Sequence, residues 1–459
     1  MRTAPIALTL ASAALVAACA AVRTGPPSGS LPGPRAEGPP AATGGRAAKR
    51  PPRTPRGDAA RARAARAAPP AAAAQDAAPA VDVWAEPATW RAAGDPSQFE
   101  VPLPAGPGWN ASLVLDNGTT GIWTVEAFQV FPMYGTPEVV GLDDKGRCHV
   151  LSSYSGKWAD MPTIHDVKWL GGLAHADVDP RFPGPELYTG GERGNLYQVR
   201  SYEQAALDHR LIAFLPGMEI HTLVAGDLDP RTPGAELFVF TRPGGLYRAT
   251  PTGPDGGFEI AKIDDLPGRV RDAVVLPREP GRPAEIACVS RAGWVRILSV
   301  GMDGPHWETV YEDAMGMGRI DVRAGAPGEP LVLYTCHDDG RVLRLERQPD
   351  RTFRSELVYL GPQGTRGVAS GRFDADPSVE TIAIFGYSGR VEILSRRADG
   401  WHAETAFTDR SKGHWLVAAE LDGRNATTEL LASGYGARIV LLARPPGTGR
   451  AETSTDIAR

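Results

Sequence analysis

The chain has 459 residues and a formal net charge of −5 at pH 7, and it contains 53 glycines and 42 prolines. So many turn-forming residues disfavour long helices and favour a fold of many short strands. Residues 20–80 hold ten Arg or Lys and three Asp or Glu, and Arg2 adds one positive charge, so residues 81–459 carry a net charge of −13. An acidic domain behind a basic segment argues against nucleic acid as its partner.

The N-terminus carries a targeting signal. Ala4–Ala18 is an apolar stretch too short to span a bilayer, so residues 1–18 are interpreted as a signal peptide. The stretch ends in the sequence LVAAC, which resembles the bacterial lipobox, although Val16 stands where leucine is commoner. The resemblance implies a lipid on Cys19 that anchors the protein in a membrane, and Ala20 after it implies the outer membrane of the cell envelope. An ordinary signal peptide with an incidental cysteine is the alternative.

The next segment lacks the side chains that a core needs. Residues 19–85 are mostly Ala, Pro, Gly and Arg, which predicts a disordered tether, and residues 447–459 are predicted to be a disordered tail. The tether either lies on an anionic envelope surface or simply reflects a composition rich in Ala, Pro and Arg. Residues 86–446 remain to fold, and a domain of that length normally divides unless it is built from repeats.

A unit of two short apolar strands joined by a tight turn recurs along residues 86–446. The turn position falls at Gly146, Gly194, Gly244, Gly293, Gly340, Gly389 and Ala437. Successive turns are 47 to 50 residues apart, and this period is typical of one four-stranded propeller blade. The sequence therefore predicts an all-β fold, a seven-bladed β-propeller.

The last repeat lacks its outer strand, because the chain runs into Pro445-Pro446 soon after the turn at Ala437. A matching segment stands at the other end, where Trp109–Leu115 resembles Trp401–Phe407 in the type of its residues. We therefore expect an N-terminal strand to complete the last blade and close the ring, which leaves only short strand edges exposed.

Two acidic loops occur at the same phase of the repeat. Their acidic positions are Asp177, Asp179, Asp227 and Asp229. The loops resemble the FG-GAP or VCBS repeats of integrin-type propellers, whose D-x-D-x-D-G loop can hold Ca²⁺. Here Arg181 and Arg231 replace the third acid, and a cation at a ligand position opposes calcium. The loops are interpreted as structural, with Asp pairing to Arg, and as weak candidates for a metal site.

A basic or aromatic residue recurs about fifteen positions before the second strand in six of the seven repeats, in the linkers that lead to the inner strands. These candidates for a ligand-binding central face are Trp123, His221, Arg271, Arg319, Arg366 and His414. In the remaining repeat the position falls at Gly171, and His165 and Lys168 just upstream of it are added as candidates. Residues at the same position of each repeat lie at the same distance from the axis of a closed ring. We therefore expect these side chains to converge at one mouth of the channel, where the cationic ones would attract an anionic ligand. Scattered exposed arginines in an Arg-rich chain are the alternative.

Two functions fit these features. The first is a non-catalytic binding module that presents its central face to a protein or glycan, without a cofactor and as a monomer. The second is a carbohydrate-active enzyme of lyase or dehydratase type, with one divalent metal ion held by His165, His175, His221 and His414. No nucleophile elbow, HExxH or P-loop sequence occurs. The binding module is preferred.

Overall fold

The computed structural model describes residues 91–92 and 102–445, apart from 119, 155–156, 203–205, 233, 254–256, 279–281, 324, 326–327, 362–363 and 422–425. The signal peptide, Cys19, the whole tether and the tail after residue 446 lie outside the described residues. The described residues form seven separate antiparallel sheets. Within this part of the chain, no helix is long and apolar enough to cross a membrane.

The strands are numbered in chain order, and one short 3-10 helix (Pro132–Tyr134) lies between β4 and β5. They are β1 (Arg91–Ala92), β2 (Pro102–Leu103), β3 (Asn110–Asp116), β4 (Ile122–Phe128), β5 (Glu138–Asp143), β6 (Arg147–Tyr154), β7 (Lys157–His165), β8 (Leu170–Ala176), β9 (Glu186–Gly191), β10 (Asn195–Tyr202), β11 (Ala206–Phe214), β12 (Glu219–Gly226), β13 (Glu236–Arg242), β14 (Gly245–Pro251), β15 (Phe258–Asp265), β16 (Val270–Val275), β17 (Ile286–Ser290), β18 (Trp294–Gly301), β19 (Gly304–Glu312), β20 (Met317–Arg323), β21 (Val332–His337), β22 (Arg341–Arg347), β23 (Phe353–Leu360), β24 (Thr365–Ser370), β25 (Thr381–Gly386), β26 (Arg390–Arg397), β27 (Gly400–Thr408), β28 (Gly413–Ala419), β29 (Glu429–Gly434) and β30 (Arg438–Ala443).

The predicted seven-bladed β-propeller is confirmed. Each of blades 1 to 6 consists of four consecutive strands, from β4–β7 to β24–β27, and blade 7 is built on β28–β30. The first strand of each blade contacts the first strand of the next blade, and β28 contacts β4, so these inner strands form a closed cycle. The second strands are apolar and buried on both faces, whereas most outer strands are partly exposed, which explains the apolar centre of every repeat.

The expected closure by an N-terminal strand is also observed. Strand β3 pairs antiparallel with β30, with Asn110 opposite Ala443 and Asp116 opposite Arg438, and so completes blade 7. Strand β2 adds to the outside of β3, and β1 adds to the outside of blade 1 by pairing with β7. These two additional edge strands were not predicted.

A buried glutamate begins the second strand of several blades and explains the acid that recurs in the repeat. The Glu138 carboxylate accepts hydrogen bonds from the backbone N–H groups of Val130 and Phe131, at 2.8 and 3.1 Å. In the same way Glu186, Glu236 and Glu429 accept bonds from the loops that precede their strands. Each glutamate therefore ties an inter-blade loop to the blade that follows it, and its burial is offset by these bonds.

Candidate functional site

Each inner strand carries a register irregularity at the same point. In β4, for example, the pairing with β5 passes from Ile122 directly to Thr124, so Trp123 is left out of the ladder as a β-bulge. The residues left out in the seven blades are Trp123, Gly171, His221, Arg271, Gly318 with Arg319, Arg366 and His414. The prediction had placed these residues in linkers, and this was wrong: they belong to the inner strands, and the bulge is the feature that singles them out.

The bulged residues converge. One cavity of about 590 Å³ is lined by residues of all seven blades, including every bulge position, so it lies where the inner strands surround the propeller axis. We call this cavity the axial mouth. Six arginines and two glutamates line it, which leaves it positively charged on a domain whose net charge is negative. The predicted convergence of Trp123, His221, Arg271, Arg319, Arg366 and His414 is therefore what the structure shows.

One half of the ring, in blades 4 to 6, consists of guanidinium groups. Arg271 donates to Oδ1 of Asp338 at 2.7 Å, and Arg366 forms an ion pair with the same oxygen. A single carboxylate thus serves two arginines. Asp338 keeps its charge, because these two guanidiniums hold the pKa of its carboxyl below the usual range against the effect of burial. The three arginines of this half therefore face one directly paired carboxylate.

Arg319 differs from its two neighbours because, among the described residues, no carboxylate lies within ion-pair distance of it. Its side chain is 94 % buried, since only 6 % of the residue is exposed. Nη1 donates to the backbone oxygen of Arg271 at 2.7 Å, and the guanidinium lies 4.0 Å from the centre of the Trp415 ring. Its Nε has no partner in the described part of the chain. Burial lowers the pKa of Arg319 to about 10, partly opposed by the charge of Asp272, so the group remains protonated at neutral pH.

The two histidines of the ring are neutral. Burial and the surrounding arginines hold the pKa of His221 and of His414 well below the ordinary value. Nδ1 of His414 lies 2.8 Å from the backbone oxygen of Trp123, and a carbonyl oxygen can only accept, so Nδ1 carries the proton. Nε2 is then free to accept from Nη2 of Arg319, at 3.4 Å. The histidine therefore helps to orient Arg319 without adding charge.

The other half of the ring is aromatic. Blade 2 has Gly171 at its bulge, and a Cβ there would lie 2.1 Å from the Trp169 ring, so the indole occupies the place of the missing side chain. Trp123 of blade 1 packs edge-on against His414 and Tyr435, with ring centres 4.6 and 5.2 Å apart. Its Nε1 is buried without a hydrogen-bond partner among the described residues. Two partly exposed indoles thus line the mouth opposite the three arginines.

A rim of seven further residues was missed by the sequence reasoning. They lie two positions before the turn of each repeat, at Asp144, Glu192, Arg242, Arg291, Asp338, Tyr387 and Tyr435. Five of them line the axial mouth, and Asp338 holds two of the ring arginines. They recur with the same 47–50-residue period as the turns. The counting along the repeat that identified the ring residues would therefore have identified the rim residues too.

Two of the predicted central-face residues do not belong to the ring. His165 is exposed at the end of the outer strand β7, before the chain turns towards the axis, and it does not line the cavity. Lys168 is exposed beside the rim, where its Nζ lies 3.5 Å from Glu192. In blade 2 the counted position, Gly171, does line the cavity, and the side chain beside it is Trp169 in place of these two residues.

The acidic loops lie elsewhere and contain the predicted Asp–Arg pairs. Nε and Nη2 of Arg181 donate to the two oxygens of Asp179 at 2.7 and 2.5 Å, and Arg231 binds Asp229 in the same bidentate way. Of the first acids, Asp177 is exposed and Asp227 lies 3.4 Å from Arg278. In each loop, an arginine already binds both oxygens of the second acid, Asp179 or Asp229, which a metal ion would need.

The four histidines proposed as metal ligands are dispersed. His175 stacks on Phe128, with ring centres 4.6 Å apart, towards the opposite end of the inner strands, and only His221 and His414 line the axial mouth. Over the described residues, no three His, Cys, Asp or Glu side chains are arranged to hold a metal ion. Cys148, Cys288 and Cys336 are free and buried.

A second cavity, of about 910 Å³, opens further along the same inner strands, and we call it the opposite cavity. It contains the carboxyl groups of Glu126, Asp272 and Asp321, and Arg319 lines both cavities. Burial and the two other carboxylates raise the pKa of Glu126 to about 8, against a hydrogen bond from Trp415. Burial raises the pKa of Asp272 to about 6. Arg319 thus separates a cationic mouth from an acidic cavity.

No family model and no curated protein matches the chain. Among solved structures, it is similar to the WD40 β-propeller domain of Doa1, with 11 % identity over 73 % of this chain and 97 % of that one, at a TM-score of 0.49. It is also similar to the β-propeller domain of Cps50 (Swd1) from Myceliophteria thermophila, with 10 % identity over 72 % and 99 % of the two chains, at a TM-score of 0.47. Function is therefore argued from the site alone.

Proposed function

We propose that this β-propeller is a binding module that takes an anionic ligand at the axial mouth. The observation that supports it is Arg319, a charged guanidinium that is 94 % buried, lines the cavity and lies outside ion-pair distance of every described carboxylate. A buried guanidinium that no carboxylate contacts directly is costly, and a bound anion would reduce that cost.

The surroundings of Arg319 favour the same occupant. Arg271 and Arg366 lie beside it and share only Asp338, while His221 and His414 are neutral, so the ring keeps an excess of positive charge. Of the other arginines that line the axial mouth, Arg242 and Arg269 share Glu219, at 3.2 and 3.8 Å. A cationic recess focuses the electric field and attracts small anions, whereas the rest of this acidic surface attracts positively charged groups.

The test is the melting temperature of the purified full-length protein in increasing concentrations of sulfate, phosphate and acetate. Binding to the folded state raises it in a saturable way. Sulfate also stabilises proteins in general, so the readout is the difference between wild type and Arg319→Gln. Arg366→Gln should lose part of the saturable shift, and Arg354→Gln, on an exposed outer strand, should keep all of it. Equal shifts in all four proteins would contradict the proposal.

The location of the module is a proposal that rests on residues 1–19. We infer that it is a lipoprotein of the cell envelope, held by Cys19 at the membrane and separated from it by the tether. Cys19→Ser should move the protein from the membrane fraction to the soluble fraction and prevent the mass increase of lipidation. Cys148→Ser, which changes a buried thiol of β6, should leave the fractionation unchanged. Membrane association that survives Cys19→Ser would overturn this part.

A further inference from the structure

We propose that the ligand of the axial mouth is a sugar that carries a carboxylate, such as a uronic acid unit of a glycan. The inference rests on the proposed anion site and adds the chemistry of the rest of the ligand. It comes from the division of the ring into two unlike halves. Arg271, Arg319 and Arg366 face an aromatic half that a simple anion would not use.

The aromatic half is built for a flat, partly apolar partner. The Trp169 indole lies over Gly171, where any side chain would displace it, so the absence of a Cβ in blade 2 gives the ring its place. His221 supports this indole edge-on, with ring centres 5.8 Å apart. An indole offers an apolar face and one N–H donor, which suits the C–H face of a pyranose ring next to its hydroxyls.

The polar groups of the mouth fit hydroxyls as well as one acid. Glu192 is exposed at the rim, and its paired Lys168 is 3.5 Å away, so its carboxylate can accept a hydrogen bond from a hydroxyl. The carboxylates of Glu192 and Glu219 also disfavour a ligand with charges along its whole length, such as a polyphosphate or a nucleic acid.

The geometry of the arginines fits a carboxylate. Arg319 is fixed by two backbone oxygens, by His414 and by the Trp415 ring, so the orientation of its guanidinium is set before the ligand arrives. A guanidinium binds a carboxylate in a planar, bidentate way. With a volume of about 590 Å³, the cavity is in the range of small-ligand sites and exceeds what a carboxylate alone would fill.

The experiment compares ligands that differ in one group. The full-length protein is titrated with glucuronate, galacturonate and mannuronate, with the neutral sugars glucose, galactose and mannose, and with acetate, by calorimetry and by tryptophan fluorescence. We expect at least one uronate to bind at least ~10-fold more tightly than acetate and than its neutral sugar, which corresponds to about 1.4 kcal/mol.

Variants then separate the two halves of the ring. Trp169→Ala should weaken uronate binding at least ~10-fold and leave acetate binding unchanged, whereas Arg319→Gln should weaken both. Trp401→Ala, on the outer strand β27, is the matched control and should change neither. Because Arg319 is buried, replacing it with glutamine can disturb the fold, so Arg319→Lys serves as a second variant. Lysine keeps the positive charge and lacks the planar guanidinium that binds a carboxylate through two N–H groups.

The outcomes distinguish the two proposals. If acetate binds in a way that depends on Arg319, but no uronate binds more tightly than acetate, the sugar inference is wrong and the anion site stands. The same holds if Trp169→Ala weakens acetate and uronate equally. If neither acetate nor any uronate binds, both proposals are wrong.

Discussion

At the scale of single residues, one backbone position per blade fixes where the mouth residues point. The turn that follows the second strand adopts a left-handed conformation at the turn position in six of the seven repeats, for instance at Gly146, where φ is 74°. Ala437 adopts φ 63° at the same position of blade 7. The turns place the rim residues directly above the bulged residues, because their backbones hydrogen-bond to the start of the inner strands, as Asp338 N does to Gly316 O.

Two glycine substitutions distinguish the cost of backbone strain at positive φ from the cost of a steric clash of the new Cβ. Gly146 has φ 74°, and a Cβ there would lie 2.3 Å from the backbone oxygen of Lys168. Gly217 has φ 70°, and a Cβ there would meet nothing within 4 Å. We expect Gly217→Ala to cost about 1 kcal/mol of unfolding free energy and Gly146→Ala about 3 kcal/mol. Urea unfolding of both variants measures the difference, and equal losses would show that the turn relaxes around the new methyl group.

The sequence predicted most of the ring and little of its chemistry. Counting along the repeat identified Trp123, His221, Arg366 and His414 without any structure, because a repeat converts equal phase into equal position. It did not reveal that Asp338 pairs with two arginines, or that Trp169 fills the space over Gly171. The first relation joins side chains of three blades and the second depends on how a side chain folds back over its own strand, and a repeat period carries information on neither.

At the scale of elements, the ring depends on one strand that comes from the far end of the chain. Val114 and Leu115 of β3 are buried in a cluster with Val139 and Ile439, which links blade 7 to blade 1. Without β3, the strand β30 would have a free edge and this cluster would open to solvent. The last repeat revealed the missing strand by its abrupt end, so closure was predictable, whereas β1 and β2 have only two residues each and no pattern to detect.

Two N-terminal deletions test the contribution of β3. Removal of residues 1–120 deletes β1, β2 and β3, and we expect a loss on the order of 5 kcal/mol, because several large side chains lose their burial and a full ladder is unpaired. Removal of residues 1–101 deletes only β1 and should cost about 1 kcal/mol or less. Thermal or urea unfolding compares the two. Similar stability of the two deletions would mean that β30 does not need its partner.

At the scale of the whole molecule, charge is divided along the propeller axis. The axial mouth is cationic, and the opposite cavity holds Glu126, Asp272 and Asp321 behind Arg319. Because Arg319 contributes to both cavities, the acids stabilise the guanidinium from one side while an anion approaches it from the other. The amino-acid composition predicted an acidic domain. It carried no information that positive charge collects at one end of the channel and negative charge at the other.

This division makes stability depend on pH in a definite direction. The pKa of Glu126 is raised to about 8, so the folded state holds a proton that the unfolded state releases near pH 4.5. The stabilisation from this proton is complete below pH 4.5 and is lost as pH rises through 8. The reason is that the change of unfolding free energy with pH is proportional to the difference in bound protons between the folded and unfolded states. Glu138, Glu186 and Glu236, whose pKa values burial raises to about 7, act in the same direction at lower pH.

The free energy of unfolding should therefore fall between pH 6 and pH 9, and Glu126→Gln should reduce that fall. Glutamine keeps the size of the side chain and can accept the hydrogen bond of Trp415, but it has no charge to bury beside Asp272 and Asp321. We expect the variant to gain about 2–3 kcal/mol on wild type over this range, about half of it between pH 6 and 7 and little above pH 8. Glu259→Gln, at an exposed position of β15, is the matched control and should follow wild type at every pH. Urea unfolding at four pH values measures all three proteins. If Glu126→Gln and wild type remain parallel from pH 6 to pH 9, Glu126 is ionised in the folded state, and the channel holds its three acids in a different way from the one described.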